Sequence, residues 1–343
     1  MKSRKRILIA GVALALVLAA GLAYKQGADA SFYDGYDAAL PLATEVRGTE
    51  SREGYSRIDF TFQGLPGMAV PTLLALPDEE DGPYPCIIFL HGIGQSKGFL
   101  DEIAMYYTRH GFAIASFDQY TRGERKLTTK NPITQALGLR KRLSLNVIET
   151  RRLVDYLQTR DDIAPDRIYL IGASFGAITG CTAVAFEPRI PAAVMTYGGG
   201  DLDLLLASDA AIKELGKFHG LATSIVQYIT APADPVKYVA QIAPRPLLFQ
   251  NGEHDQLIPL AAARALVDAA GEPKKFTLYD SDHVGMDEAQ TITVLEESVA
   301  WLIEQDNKIT GAASAAATKR NTREAVPAAI SQKSIDSPSS AST

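Results

Sequence analysis

The sequence predicts an α/β fold, in which a mostly parallel, twisted sheet carries helices on both faces and an antiparallel hairpin at its N-terminal side. Short, nearly continuous apolar runs recur along the chain, and such runs are typical of strands buried on both faces. Helical stretches alternate with them, and this alternation indicates a parallel sheet covered by helices. The apolar runs lie at 86–90, 112–117, 168–171, 192–197, 247–250 and 276–279.

The predicted sheet begins with an antiparallel hairpin over residues 55–76. Ile58, Phe60 and Phe62 alternate there with polar residues, as in a half-buried strand, and Gly64-Leu-Pro-Gly67 supplies the turn. Helices then separate the buried strands. They are expected at 97–110, 146–159, 174–186, 261–270 and 288–304.

The composition fits one large globular domain, or at most two small ones, and argues against several functions. The 343 residues are 46% apolar and 22% charged, which is ordinary for a protein with a sizeable core. The net charge is −6 and no basic stripe lies beyond the extreme N-terminus, which disfavours nucleic-acid binding. Cys86, Cys181 and the five scattered histidines show no metal-ligand spacing, so we expect no structural or catalytic metal.

Residues 1–30 are predicted to direct export. Residues 1–6 are basic and residues 7–23 form an unbroken apolar stretch, as in the n-region and h-region of a signal peptide. We favour cleavage after Ala23 or Ala30; the alternative is an uncleaved membrane anchor, because the stretch approaches the length that spans a bilayer. Either way the rest of the chain is expected to be periplasmic or extracellular, or anchored to the outer face of the inner membrane.

The rest of the chain is predicted to form one domain over residues 31–304 with two long insertions. Residues 120–145 are polar and basic. Residues 198–243 carry weak helical patterns broken by Pro232 and Pro235, and we interpret them as a small cap over the functional site, with a surface elaboration as the alternative. Residues 305–343 are rich in Ala, Ser and Thr without periodicity, which predicts a disordered tail.

The segment Gly172-Ala-Ser-Phe-Gly176 joins a predicted strand to a predicted helix. A Gly-x-Ser-x-Gly sequence in this context lifts its serine above the end of a parallel sheet on a sharp turn. The two glycines are needed where strand and helix backbones approach each other closely. The pattern predicts that Ser174 is a nucleophile.

A serine nucleophile needs a base and an orienting carboxylate. Asp255 follows the predicted strand 247–250 and His283 follows the predicted strand 276–279, so both lie where the carboxyl ends of parallel strands converge. We predict that Ser174, Asp255 and His283 act together. Two alternatives stay open. In one, Asp255 only caps the helix that starts near residue 260 and has no catalytic role; in the other, Asp201 is the catalytic acid.

The oxyanion that forms during attack by serine needs two backbone N–H donors. Phe175, at the helix start, is predicted to supply one, and Ile93, in the loop after strand 86–90, the other. His91 opens that loop, and we favour a hydrogen-bonding role in the loop over a catalytic one.

These motifs together resemble the α/β-hydrolases, and among them the dienelactone-hydrolase-like, acetyl-xylan-esterase-like and prolyl-oligopeptidase-like branches. The resemblance covers about residues 55–304 and implies an acyl hydrolase without a cofactor. The chain has no room for the propeller of the peptidase branch, and position 174 is serine where a dienelactone hydrolase would have cysteine. The motifs that carry the resemblance are His91-Gly-Ile-Gly94, Arg151-Arg-Leu-Val-Asp-Tyr-Leu157 with Asp166-Arg-Ile168, Gly172-Ala-Ser-Phe-Gly176, Gly252-x-x-Asp255 and Asp282-His283.

The sequence therefore predicts a serine hydrolase that cleaves small-molecule carboxylic esters through an acyl-enzyme. A small peptidase or amidase is the alternative within hydrolases, and a catalytically silent envelope binding protein is the alternative outside them. Arg122, Arg125 and Lys126 suggest a negatively charged substrate, although we favour a solvated basic loop. Cys86 and Cys181 are favoured as two buried thiols, with a disulfide between them as the alternative.

Overall fold

The computed structural model describes residues 16–17, 19–78, 82–208 and 219–324. Within these residues, nine strands form one sheet in the order β1-β2-β3-β5-β4-β6-β7-β8-β9. The strands β1 to β9 are Glu45–Arg52, Tyr55–Leu65, Met68–Pro77, Tyr84–Leu90, Ala113–Phe117, Ile163–Ala173, Ala193–Thr196, Leu247–Gly252 and Lys274–Tyr279.

The pairing of the strands divides the sheet into an antiparallel part and a parallel part. β1, β2, β3 and β5 pair antiparallel in succession, and β5, β4, β6, β7, β8 and β9 pair parallel. The predicted hairpin is therefore present as β2 and β3, and each predicted buried strand is present. Strand β1 was not predicted, because its eight residues are all exposed and carry no apolar alternation.

Helices cover both faces of the parallel part. After β4, the helices among the described residues are labelled α1 to α7 and are Leu100–Thr108, Pro132–Leu157, Phe175–Phe186, Leu202–Leu206, His219–Thr230, Leu260–Ala269 and Glu288–Glu324. The order of the sheet reverses at β4, since β5 lies on one side of it and β6 on the other. Ligands of open α/β sheets bind at such a reversal, beyond the carboxyl ends of the strands.

Helix α2 begins at Pro132, well before the predicted start at residue 146, so the predicted start is wrong and the helix takes up about half of the polar segment 120–145. The start is encoded locally. The side chain of Asn131 accepts hydrogen bonds from the N–H groups of Ile133 and Thr134, and proline is favoured at the first position of a helix. The first half of α2 also buries Arg142, a residue type that the polar pattern did not mark as internal.

The segment between β7 and β8 contains α4, α5 and short 3-10 turns. Arg140 of α2 donates a hydrogen bond to the carbonyl of Ile229 in α5, which attaches this insertion to α2. Residues 209–218, within the predicted cap over 198–243, lie outside the described residues. The role of the insertion as a cap stays a prediction.

The chain divides into two units, residues 1–302 and 303–343. Helix α7 continues to Glu324, so the prediction of disorder from residue 305 onward is wrong over 305–324. Alanine has the highest helix propensity, and the Ala-rich stretch 312–317 therefore extends the helix without amphipathic periodicity. Residues 325–343 of the predicted tail lie outside the described residues.

Residues 1–15 and 18 of the predicted export signal also lie outside the described residues, while 16–17 and 19–30 are helical. Over the described part of the chain, no helix combines the length and apolar character needed to cross a membrane.

Candidate active site

The turn at Ser174 has the backbone geometry that the Gly-x-Ser-x-Gly sequence predicts. Ser174 joins β6 to α3 with a φ of 54° and a ψ of −118°, a conformation that L-residues rarely adopt. A Cβ on Gly176 would lie 1.8 Å from the carbonyl oxygen of Leu90, and a Cβ on Gly172 would lie 2.4 Å from that of Gly176. Only glycine fits at these two positions, because the obstructing atoms belong to the backbone.

The serine hydroxyl, the imidazole and the carboxylate that the sequence singles out lie together. His283 Nε2 is 3.0 Å from Ser174 Oγ, and His283 Nδ1 is 2.7 Å from Asp255 Oδ2. The histidine is 9% exposed and the aspartate 6% exposed. The contacts form a continuous path for a proton from hydroxyl to imidazole, with the carboxylate fixing the orientation of the ring.

Asp255 does not cap the helix that follows, so that alternative is wrong: α6 begins at Leu260 with Pro259 at its N-cap and no side-chain hydrogen bond there. Asp255 Oδ1 accepts hydrogen bonds from the N–H groups of Leu257 and Ile258, at 2.8 and 2.9 Å. These bonds fix the carboxylate and leave Oδ2 for His283. Asp255 therefore orders its own loop with one oxygen and contacts His283 with the other.

The other acidic and basic residues near these loops face elsewhere. Asp201, the alternative acid, caps α4 by accepting from the N–H groups of Asp203 and Leu204. His254 contacts Asp280 at 2.8 Å, and its side chain is 62% exposed.

Tyr197 is a neighbour of His283 that the sequence did not indicate. Its ring lies edge-on to the imidazole, with centroids 5.6 Å apart and an interplanar angle of 82°. Its hydroxyl is 2.7 Å from Ser281 Oγ, in the loop that carries the histidine. The tyrosine follows β7, and its position after a buried strand is the only signal that could have marked it.

The loop after β4 lies beside the serine. A Cβ on Gly92 would be 3.7 Å from Ser174 Cβ, and the N–H of Gly92 donates to Gln95 Oε1 at 2.9 Å. Ile93 follows and is 51% exposed. Phe175 is the first residue of α3, where backbone N–H groups lack intrahelical partners. Both residues predicted to hold an oxyanion therefore flank Ser174.

His91 is fully buried and lies behind this loop. Its Nδ1 is 2.9 Å from the carbonyl oxygen of Gly92, so Nδ1 carries the proton and donates it. Burial lowers the pKa of His91 to about 4, and the charges of Arg142 and Arg122 contribute in the same direction. The imidazole is therefore neutral near neutral pH and acts as a hydrogen-bonding group in the loop, as the sequence favours.

Arg142 connects the two flanking segments. Its guanidinium donates to the carbonyl of Ile93 at 3.2 Å and to the side-chain oxygen of Gln119, and it lies 4.2 Å from the ring centroid of Phe175. Gln119 in turn donates to the carbonyl of His91 at 2.8 Å. Burial, together with the charge of Arg122, lowers the pKa of Arg142 to about 9.

The predicted basic loop contains a buried ion pair. Arg125 donates to both carboxylate oxygens of Glu149, at 2.7 and 2.8 Å, and its side chain is only 9% exposed. This arginine is neither solvated nor free to bind a substrate, so both sequence interpretations are wrong for Arg125. The reason is that its partner lies 24 residues away on α2.

A cavity of about 720 Å³ opens next to Ser174 and His283. It lies between the sheet, α1 and the first turns of α7, and its walls are mostly apolar. Among the described residues, none from the insertion 198–243 lines it. Its volume lies within the range of small-molecule pockets, and Ser174 and His283 form part of its wall.

The strand order, the serine turn and the converging loops define the α/β-hydrolase fold. A family model of the dienelactone hydrolase family matches residues 70–300, and the chain belongs to that family of hydrolases. Position 174 nevertheless carries serine.

Comparison with individual proteins gives remote similarities. The chain is 26% identical over 235 residues to YtaP of Bacillus subtilis (strain 168), and this match covers 64% of this chain and 76% of that protein. It is 23% identical over 214 residues to the esterase YjfP of Escherichia coli (strain K12), which covers 59% and 82% respectively. The acetyl xylan esterase 1 structure from Thermoanaerobacterium sp. JW/SL YS485 superimposes with a TM-score of 0.63 at 19% identity, over 81% of this chain and 93% of that one.

Proposed function

We propose that the protein hydrolyses carboxylic esters through an acyl-enzyme formed on Ser174. The observation that carries the proposal is the pair of contacts at His283, 3.0 Å to the serine hydroxyl and 2.7 Å to the Asp255 carboxylate. An acyl transfer needs a nucleophile, a base and an orienting acid in this arrangement. An esterase name among the relatives and an acetyl xylan esterase among the structural neighbours support the ester bond as the target.

The chemistry divides into two half-reactions. His283 Nε2 takes the Ser174 proton while the serine oxygen attacks the ester carbonyl, and the N–H groups of Ile93 and Phe175 receive the oxyanion. The protonated His283 then gives its proton to the leaving alcohol. Water enters, His283 removes its proton, and the resulting attack releases the carboxylic acid and restores the serine. Asp255 keeps Nδ1 protonated and stabilises the imidazolium throughout.

The test is the substitution Ser174→Ala, assayed with p-nitrophenyl acetate and butyrate. Turnover should fall to background while the circular dichroism spectrum and the unfolding temperature stay close to those of the wild type. Ser224→Ala, an exposed serine of α5, serves as the control and should retain full activity. A fluorophosphonate probe should label the wild type and not Ser174→Ala, because only an activated serine reacts readily.

Three results would change the assignment. Retained ester turnover by Ser174→Ala would remove Ser174 from the mechanism. Faster hydrolysis of aminoacyl amides than of short-chain esters would favour the amidase alternative. A chain that neither hydrolyses esters nor reacts with the probe would behave as the silent binding protein.

We also propose that the enzyme acts outside the cytoplasm, because a basic segment precedes an apolar stretch at residues 1–30. Fractionation of cells that express the full chain, beside a version without residues 1–30, tests this. The full chain should appear in the envelope or periplasmic fraction and the shortened one should not.

A further inference from the structure

The cavity beside Ser174 has an inner wall made of buried apolar side chains. Phe89, Ile103, Tyr107, Ile171 and Val294 line it, and each is at most 4% exposed. Ile171 lies on β6, three residues before Ser174, so the enclosed part of the cavity extends back along the sheet from the nucleophile. The more exposed lining residues lie at the mouth, where Met286 is 72% exposed and Ile93 is 51% exposed.

The charges around this cavity are negative. Glu102 and Glu288 are exposed members of the lining, and among the described residues that line it there is neither lysine nor arginine. Of the three basic residues that could have served an anionic substrate, Arg125 is paired with Glu149, and neither Arg122 nor Lys126 lines the cavity. A carboxylate entering this cavity would lose its hydration without gaining a counterion, which is costly.

We infer that the cavity receives the acyl group of the substrate, and that this group is neutral, apolar and substantially larger than acetyl. The inference rests on the proposed ester hydrolysis at Ser174. During that reaction the acyl group stays bonded to the serine until water arrives, whereas the alcohol must leave. The enclosed side of the site therefore suits the acyl group, and the open mouth suits the departing alcohol.

The size of the cavity sets the expected preference. Pockets of about 300–1,000 Å³ bury whole drug-sized ligands, so an acetyl group would leave most of the 720 Å³ unfilled. Each methylene transferred from water into such a pocket is worth about a fourfold change in kcat/KM. Acyl chains of about six to eight carbons gain the most, because several methylenes then contact the inner wall.

The experiment measures kcat/KM on the full chain with p-nitrophenyl acetate, butyrate, hexanoate and octanoate, and with the p-nitrophenyl monoester of succinate. Hexanoate or octanoate should exceed acetate by at least about tenfold. The succinate monoester should fall at least about tenfold below butyrate, which has a similar length. A parallel series of acetate esters of longer alcohols should show no comparable rise.

A bulkier side chain in the cavity wall tests whether the preference for longer acyl chains arises in this cavity. Ile103→Trp should lower the ratio of the octanoate to the acetate value by about tenfold or more. Met105→Trp is the matched control: it lies two residues further along α1, is 45% exposed and is not part of the lining. It should leave the ratio unchanged. Ile292→Trp, on the half-buried wall formed by α7, gives a second filling variant if Ile103→Trp unfolds.

The outcomes separate the inference from the proposed function. Acetate as the best substrate, a length preference confined to the alcohol series, or a succinate monoester as good as butyrate would each overturn the inference while ester hydrolysis stands. An unchanged ratio of the octanoate to the acetate value in a folded filling variant, Ile103→Trp or its substitute Ile292→Trp, would overturn it as well. Absence of all ester turnover, with no labelling of Ser174 by the fluorophosphonate, would overturn both.

Discussion

The guanidinium of Arg142 lies 4.2 Å from the ring centroid of Phe175 and 3.2 Å from the carbonyl oxygen of Ile93. One buried side chain thus contacts both segments proposed to receive the oxyanion. Its hydrogen-bond partners are neutral oxygens, of Ile93 and Gln119. An arginine buried in this way is a costly choice for stability alone, and its position indicates that it orients the two segments.

Arg142→Met should therefore lower kcat for p-nitrophenyl esters by about 100-fold with a smaller change in KM, since small misplacements of catalytic groups have effects of this size. The kcat of Arg142→Lys should stay close to that of Arg142→Met if the planar guanidinium with its fixed donors is needed. It should return towards the wild-type value if positive charge alone is needed. The control is Arg152→Met, because Arg152 is equally buried in α2 but bonds the carbonyls of Leu40 and Asp37. That variant should lose stability and keep its kcat. An unaltered kcat in folded Arg142→Met would contradict the role of Arg142 in orienting the Ile93 and Phe175 segments.

Asp255→Asn should lower kcat by about 10³ to 10⁴. The amide oxygen of the new asparagine would take over the two N–H bonds from Leu257 and Ile258, which leaves its NH2 group facing His283 Nδ1. That arrangement would move the imidazole proton to Nε2 and abolish the base. Asp201→Asn, which can keep its capping bonds, should stay within about twofold of the wild type. Measurement of kcat for both variants decides between the two acids. A larger loss of kcat in Asp201→Asn than in Asp255→Asn would reverse the assignment.

Gly176→Ala should destabilise the protein by at least about 3 kcal/mol. The added Cβ would lie 1.8 Å from the carbonyl oxygen of Leu90, and a strand backbone cannot move without disturbing the whole sheet. Gly48→Ala in β1 is the control, since its added Cβ would meet nothing within 4 Å. Urea unfolding measures both. A loss below about 1 kcal/mol in Gly176→Ala would mean that α3 can move away from β4.

The free energy of unfolding should decrease as the pH falls, and protonation of His91 in the unfolded chain should account for part of the decrease. Its folded pKa of about 4 lies below the value of about 6.5 that an unfolded histidine has, so the unfolded chain binds the extra proton between these pH values. The contribution is therefore present above pH 6.5 and is lost as the pH falls towards 4, with a total of about 3 kcal/mol.

The measurement is urea unfolding at several pH values from 7.5 to 4.5. His91→Asn keeps a side-chain donor for the Gly92 carbonyl and should show a shallower loss of stability than the wild type. His110→Asn, at an exposed histidine, should follow the wild-type slope. Parallel slopes for all three proteins would show that His91 does not titrate in this range.

Much of the fold was predictable because its signals are local. Each buried strand is a short apolar run, and Ser174, Asp255 and His283 each follow such a run. Strand β1 lacked a signal, because all of its side chains are exposed. The early start of α2 was encoded in Asn131 and Pro132, but the polar pattern after them resembled a loop.

The contacts that surround the candidate site were less accessible to sequence reasoning. Arg142 and Arg125 are arginines in a polar stretch, and nothing nearby in the sequence shows that one stacks on Phe175 and the other pairs with Glu149. Such partners are set by the packing of α2 against the loops after β4 and β5. The same holds for Tyr197, whose contact with His283 joins the ends of two separate strands.

Cys86 and Cys181 are free thiols, both buried, and burial raises the pKa of each well above its usual range. Because the chain has only these two cysteines, the folded protein presents no readily alkylated sulfur of its own. A cysteine introduced at Met286, at the mouth of the cavity, would then be the sole site for a maleimide dye. Fluorescence from that one position could follow the arrival of substrate and the departure of product without any change to the native thiols.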